Sequence, residues 1–287
     1  MKLSVTSYSF SRLVGAGRYT EPELIKLAAE MGFDGIEFAE IHPAPGMDKV
    51  AYAASLAEEC KKQGIECVSY TIGADFLNRD PDGEVERLKG EVDVCAALSA
   101  KLMRHDAAWG YNGENRAYNG FENALPILAE GCRRVTEYAA TKGIRTMTEN
   151  HGQFCQESAR VERLINAVGH PNYGALIDVG NFLCADEEPE KAVGRLAPYA
   201  FHVHCKDFHF KSGNGIAPTD GFFTTRSGNY LRGAIIGHGC VPIYQCLKIL
   251  KNAGYDGYLT VEFEGLEEPE LGVSYGRNTL QNMLEMI

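Results

Sequence analysis

Strand-like apolar runs and helix-like amphipathic stretches alternate from one end of the chain to the other. The first strand is read over Leu3–Tyr8. The first helix opens at Thr20-Glu21-Pro22-Glu23, a capping box with proline in its first turn. Leu24, Leu27, Ala28 and Met31 then recur at the spacing of one helical face, and Gly32 closes the helix. A strand at Gly35–Phe38 follows. The same unit then repeats. Helix Val50–Gln63 precedes strand Ile65–Tyr70, and helix Val85–Ser99 precedes strand Leu102–His105. Helix Ala124–Lys142 precedes strand Ile144–Glu149, and helix Ala159–Val168 precedes strand Tyr173–Asp178. Helix Pro189–Leu196 precedes strand Phe201–His204, and helix Ile243–Ala253 precedes strand Tyr258–Phe263. A last helix is placed over Thr279–Met286.

That pattern contains eight strands in 287 residues, about 36 residues per unit. It predicts an α/β fold, a (β/α)8 TIM barrel formed by a single domain over residues 1–287. A doubly wound open sheet is the alternative, but its phosphate-binding GxGxxG is missing after the first strand, where Gly15-Ala16-Gly17 lacks the third glycine. Two loops are long, one from Asp106 to about Gly120 and one from Asp207 to about Val241. Both fall on the face where barrel active sites sit.

Composition narrows the class. The chain is 45% hydrophobic and 23% charged, the balance of a folded globular protein. Lys and Arg total 28 against 39 Asp and Glu, a net charge of −11. That surface repels nucleic-acid phosphates and anionic lipid, so no nucleic-acid or membrane partner is expected. No run approaches the roughly 20 apolar residues of a membrane span, and the N-terminus lacks the apolar core of a signal peptide. Nine cysteines are scattered with no CxxC pair. Reduced thiols in a cytoplasmic protein are the economical reading.

The candidate chemistry lies at the strand ends, which converge on one site in a barrel. Successive strands end in Glu149-Asn150-His151, Asp178-Val179-Gly180-Asn181, His202-Val203-His204-Cys205-Lys206-Asp207 and Glu262-Phe263-Glu264. Carboxylates packed so closely need neutralisation, and a divalent cation supplies it. An oxygen-rich set with one imidazole suits Mn²⁺ first, with Mg²⁺, Co²⁺ or Zn²⁺ as alternatives.

Those residues carry a resemblance. Gly35-Ile36-Glu37, Glu149-Asn150-His151, Asp178 to Asn181, His204 to Asp207, Gly237-His238-Gly239 and Glu262 together resemble the xylose-isomerase-like TIM barrels. That family includes sugar isomerases and epimerases, inosose dehydratase, hydroxypyruvate isomerase and endonuclease IV. The resemblance covers nearly the whole chain. It implies metal ligands at Glu149, Asp178, His204 and Glu262, with Glu149 and Glu262 also moving protons. The implied function is a metal-dependent sugar isomerase or epimerase that abstracts a proton beside a polarised carbonyl and passes through an enediolate. The alternative is a lyase acting on a keto sugar or inosose by β-elimination. A non-catalytic sugar-binding barrel and an endonuclease IV-like enzyme rank below both. The family also implies a carbohydrate substrate and a homo-oligomer.

Departures from the family refine this. Endonuclease IV and the ketose 3-epimerases have histidine where this chain has Asn181, and those epimerases have arginine where it has Phe210. His204-x-Lys206-Asp207 looks more like the inosose-dehydratase branch. Candidate substrate contacts are His105, Trp109, His151, Asn181, Lys206 and Arg226. Tyr111 and Tyr118 join Trp109 as possible stacking surfaces. His202 is read as a core histidine one layer below His204. Glu37, Glu40 and His42 are read as rim or surface residues.

Overall fold

The computed structural model describes residues 1–113 and 119–287, so Tyr118 lies outside the described residues. Eight parallel strands close into a barrel: β1 (Lys2–Thr6), β2 (Gly35–Phe38), β3 (Glu66–Ile72), β4 (Leu102–His105), β5 (Arg145–Glu149), β6 (Tyr173–Asp178), β7 (Ala200–Cys205) and β11 (Tyr258–Val261). Around the ring they run β1-β11-β7-β6-β5-β4-β3-β2. The first and last strands pair in register, from Lys2 with Tyr258 to Val5 with Val261, which closes the circle.

The larger helices are α2 (Glu21–Glu30), α3 (Lys49–Gln63), α4 (Pro81–Ala97), α5 (Phe121–Thr141), α6 (Ser158–Val168), α7 (Pro189–Leu196), α8 (Ile243–Asn252) and α9 (Pro269–Met286). A short α1 (Ser11–Gly15) follows the first strand. Local chemistry sets their ends. Glu23 accepts from the Thr20 backbone N–H at 2.8 Å, as its capping box requires. Asp48 caps α3 by accepting from Ala51 N at 2.8 Å, and Gly64 ends that helix in the left-handed region at φ 72°.

Side chains alternate across each strand and divide the interior into two parts. The outward residues Val5, Ile36, Phe38, Ile177, Val203 and Leu259 are buried in the apolar layer shared with the helices. The inward layer is polar instead. Ser4, Glu37, His202 and Thr260 are buried inside the ring, and Ser4 Oγ lies 2.6 Å from Thr260 Oγ1. Barrels usually fill this space with branched aliphatic side chains.

Three expectations change. The long segment after β7 is not a plain loop: β8 (Asp207–Lys211), β9 (Phe223–Thr224) and β10 (Tyr230–Ala234) form an antiparallel sheet ordered β8-β10-β9. Asp207 anchors its return, accepting from Gly237 N and Gly239 N at 2.9 Å and from Val241 N at 3.1 Å. Gly237 adopts φ 89°, a left-handed conformation that glycine takes without strain. The last helix starts at Pro269 rather than Thr279, and α4 starts at Pro81 rather than Val85. No helix among the described residues is long and apolar enough to cross a membrane.

Candidate metal centre

Strands β5, β6, β7 and β11 bring Glu149, Asp178, His204 and Glu262 together. One ligand atom from each lies within 4.8 Å of all the others, and all four residues are buried. Asp178 Oδ1 accepts from Gly180 N at 2.8 Å and Asn181 N at 3.0 Å, which aims the carboxylate. Gly180 matters sterically, because a Cβ there would meet the Lys206 carbonyl at 2.6 Å. Asp178 Oδ2 is buried without a hydrogen-bond partner among the described residues. A carboxylate oriented by backbone donors, whose Oδ2 makes no hydrogen bond and has only the Lys206 ammonium close by at 3.2 Å, stands beside two more carboxylates and an imidazole, a donor set that fits a divalent cation.

Flanking groups hold these candidate ligands. Asn181 Nδ2 donates to Glu149 Oε1 at 2.9 Å, and Arg104 Nη2 pairs with Glu149 Oε2 at 2.7 Å. His204 Nδ1 lies 2.6 Å from Glu262 Oε2, and its Nε2 lies 2.9 Å from Glu37 Oε1. Lys206 Nζ lies 3.2 Å from both Asp178 Oδ2 and Glu262 Oε1, and 3.1 Å from Glu264 Oε1.

The electrostatics follow from burial and these neighbours. Burial is the largest influence on Asp178 and raises its carboxyl; Glu262 and Glu149 add to the rise against the pull of Lys206. Burial also disfavours ionised Glu262, but Lys206 and His204 outweigh it and hold that carboxyl well below the usual range. Burial works against protonated His204, yet Glu37 and Glu262 outweigh it and raise the imidazole well above 6.5.

A cleft of about 350 Å³ reaches Glu149, His204 and Glu262. A wider one of about 820 Å³ adjoins it and shares Tyr8, Trp109, His151 and Glu264 with the first. Of the expected substrate contacts, Trp109 and His151 line both clefts, and Asn181, Lys206 and Arg226 line the wider one, as does Tyr111. Trp109 meets His151 edge-on at 4.8 Å. The Arg226 guanidinium is engaged by Glu157 and the Gln153 carbonyl, tying the added sheet to the segment after β5.

His105 is a correction. It is fully buried between Phe76 and Tyr173 and lines neither cleft. Strand alternation turns it outward and turns its neighbour Arg104 inward. Glu37 is corrected in part: it lines the smaller cleft, as Glu40 does, but from a completely buried position between His202 and His204 rather than from the surface. His202 is the buried core histidine expected, 2.8 Å from Thr260 Oγ1. Tyr8 was missed altogether. Parity within β4 was the signal for Arg104; Tyr8 lies beyond its strand, where alternation carries no information.

A family model described as "Xylose isomerase-like TIM barrel" matches residues 25–283. Among curated proteins, the inosose dehydratase of Geobacillus thermodenitrificans is 24% identical over 258 residues, covering 86% of this chain and 83% of that one. Inosose dehydratase 1 of Bacillus cereus is 26% identical over 147 residues, 50% of this chain. The chain spans about half the length of such relatives, 48% in that case. Among solved structures, the probable 3-DHS dehydratase AsbF from Bacillus anthracis superposes with a TM-score of 0.75 at 18% identity, covering 98% of this chain and 99% of that one. The IOLI protein with a bound zinc atom gives 0.75 at 18%, covering 100% and 99%. The 3-keto-D-glucoside 4-epimerase YcjR from E. coli gives 0.72 at 16%, covering 98% and 99%. At these identities the superpositions establish the fold.

Proposed function

The chain belongs to the xylose isomerase-like TIM barrel family, and from that premise we propose that it is a divalent-metal-dependent isomerase or epimerase of a sugar or sugar derivative. The observation that carries this reading is the buried convergence of Glu149, Asp178, His204 and Glu262 beside a cleft. These four residues would hold the ion, with manganese the first choice for three carboxylates and one imidazole. A bound ion would supply Lewis acidity and compensate the charge that develops on a substrate oxygen.

The protein's own groups do the rest. Glu149 and Glu262 are separated in the ring by β6 and β7, so they approach the cluster from different sides. One carboxylate takes the proton from the carbon beside the substrate carbonyl, and the electron pair moves to give an enediolate. A proton returned to the neighbouring carbon, with the hydroxyl proton passed from its oxygen to the former carbonyl oxygen, isomerises the sugar; a proton returned to the same carbon on the opposite face epimerises it. Trp109 offers an apolar face at the mouth, and Asn181 and Lys206 line the same cleft while holding Glu149, Asp178 and Glu262 in place. The nine free thiols fit a reducing compartment, which favours the cytoplasm.

A specific observation favours dehydration as the second reading. The Lys206 ammonium is buried beside Asp178, Glu262 and Glu264. After the same proton abstraction, it could protonate a departing hydroxyl so that water leaves and an enone forms.

The test is elemental analysis of purified and reconstituted protein, with keto sugars and inososes screened in D₂O by NMR. Stoichiometric metal and deuterium at one carbon are expected, and the labelled carbon identifies the reaction. New ultraviolet absorbance during turnover would mark elimination. Absence of metal after reconstitution, or of deuterium in every substrate tried, would overturn the proposal.

A further inference from the structure

We propose that Glu37 is a positioning residue that selects which ring nitrogen of His204 faces the metal ligands, and that His202 and Thr260 hold Glu37 for that task. The inference rests on the metal-centre reading above and concerns residues that the reading leaves without a role.

Glu37 sits on β2 with a completely buried side chain, on the far side of His204 from Glu262. Its Oε1 is 2.9 Å from His204 Nε2, and its Oε2 is 3.2 Å from His202 Nε2. His202 Nε2 is also 2.8 Å from Thr260 Oγ1, which is 2.6 Å from Ser4 Oγ. A polar column therefore descends from the metal centre into the barrel, crossing β7, β2, β11 and β1. Glu37 meets the two imidazoles as close charge contacts rather than as well-aligned hydrogen bonds, since neither of its oxygens nor His204 Nε2 makes a hydrogen bond among the described residues; a carboxylate buried so deeply is costly unless the facing rings carry hydrogen or charge toward it.

The chemistry requires a carboxylate at this place. A neutral imidazole has one N–H and one lone pair. If Nε2 carries the hydrogen, facing Glu37, then Nδ1 is left with its lone pair on the side of Glu262. A carboxylate presents acceptors, and no donor, to both histidines. Glutamine would have to turn its NH₂ toward one ring. Facing His204, that NH₂ selects the opposite tautomer and removes the ligand lone pair; facing His202, it competes with the Thr260 contact. Carboxylate partners of metal-bound histidine typically contribute a factor of 10–100 in metal affinity.

The experiment measures zinc and manganese dissociation constants by chelator competition for the wild type, Glu37→Gln and Glu37→Asp, with circular dichroism to confirm folding. The ring nitrogens of His204 are read by ¹⁵N NMR in the zinc-loaded proteins. We expect Glu37→Gln to bind metal about 10–100-fold more weakly, and Glu37→Asp to recover part of the loss. The wild type should show Nε2 protonated and Nδ1 metal-bound. Wild-type affinity in folded Glu37→Gln, or Nε2 bound to zinc in the wild type, would overturn the inference. If Glu37→Gln does not fold, Glu37→Asp and the wild-type spectrum decide the matter. A wild type that binds no metal would instead remove the metal centre itself, so the two failures are distinguishable.

Discussion

The proposed function gives Glu149 two tasks in one side chain, and both of its oxygens are already engaged: Asn181 donates to Oε1 and Arg104 pairs with Oε2. Glutamine would turn a donor NH₂ toward one of these donors. Glu149→Gln should therefore lower deuterium incorporation into substrate by about 10²–10⁴-fold, the usual worth of a positioned acid-base group. Wild-type exchange rates, read by NMR, would remove Glu149 from the proton-transfer role. Arg104 and Glu37 show how placement separates residues of similar appearance. One position along β4 decides that Arg104 reaches Glu149 while His105 packs between Phe76 and Tyr173.

Among the elements, α4 shows how a loop near the site is tethered. Glu84, in its first turn, accepts from Asp75 N at 3.0 Å and pairs with Arg87 at 2.8 Å and Arg79 at 3.2 Å. Burial works against its ionised form, but Arg87, the Asp75 N–H and Arg79 outweigh it and hold the carboxyl below 4.5. A carboxyl depressed in the fold contributes stability above its unfolded value, and that contribution disappears as pH falls through the folded value. Glu84→Ala should cost about 1–3 kcal/mol at neutral pH. Urea titrations should show the gap from wild type constant down to about pH 5 and shrinking below 4.5; a gap that widened on acidification would contradict this. The strands were legible because each apolar run stands between a helix stop and the next amphipathic stretch. The start of α9 was not legible, because Gly272 and Gly276 weaken the helical signal. The small size of Gly272 is needed: a Cβ there would come within 2.4 Å of Phe263. The short β9 and the pairing of β8 with β10 were hidden too, because Ser212 to Asp220 between them read only as loop. The convergence of Glu149, Asp178, His204 and Glu262 was legible from strand ends alone, whereas Glu37 needed the contact across the ring that only folding makes.

For the molecule as a whole, the proposed metal centre would tie stability to a bound cation. Glu149, Asp178 and Glu262 are buried close together, so a cation bound only in the folded state adds its binding free energy to folding. With free metal at 100 times its dissociation constant, linkage gives about 2.7 kcal/mol. Chelation should lower the melting temperature by several degrees in scanning calorimetry, with recovery on adding metal back; a melting temperature indifferent to chelator and metal would show that the buried acids are compensated by Arg104 and Lys206 alone. The antiparallel sheet after β7 leaves and rejoins the barrel through paired neighbours, Asp207 opposite Ala234. A segment whose two ends are held side by side behaves as a cassette: its length and sequence can change without altering the circumference of the ring or the spacing of the ligands. Its Phe223 and Arg226 line the wider cleft, so exchanging this one cassette would redraw the wall that meets the substrate while leaving the acid-base chemistry below it in place.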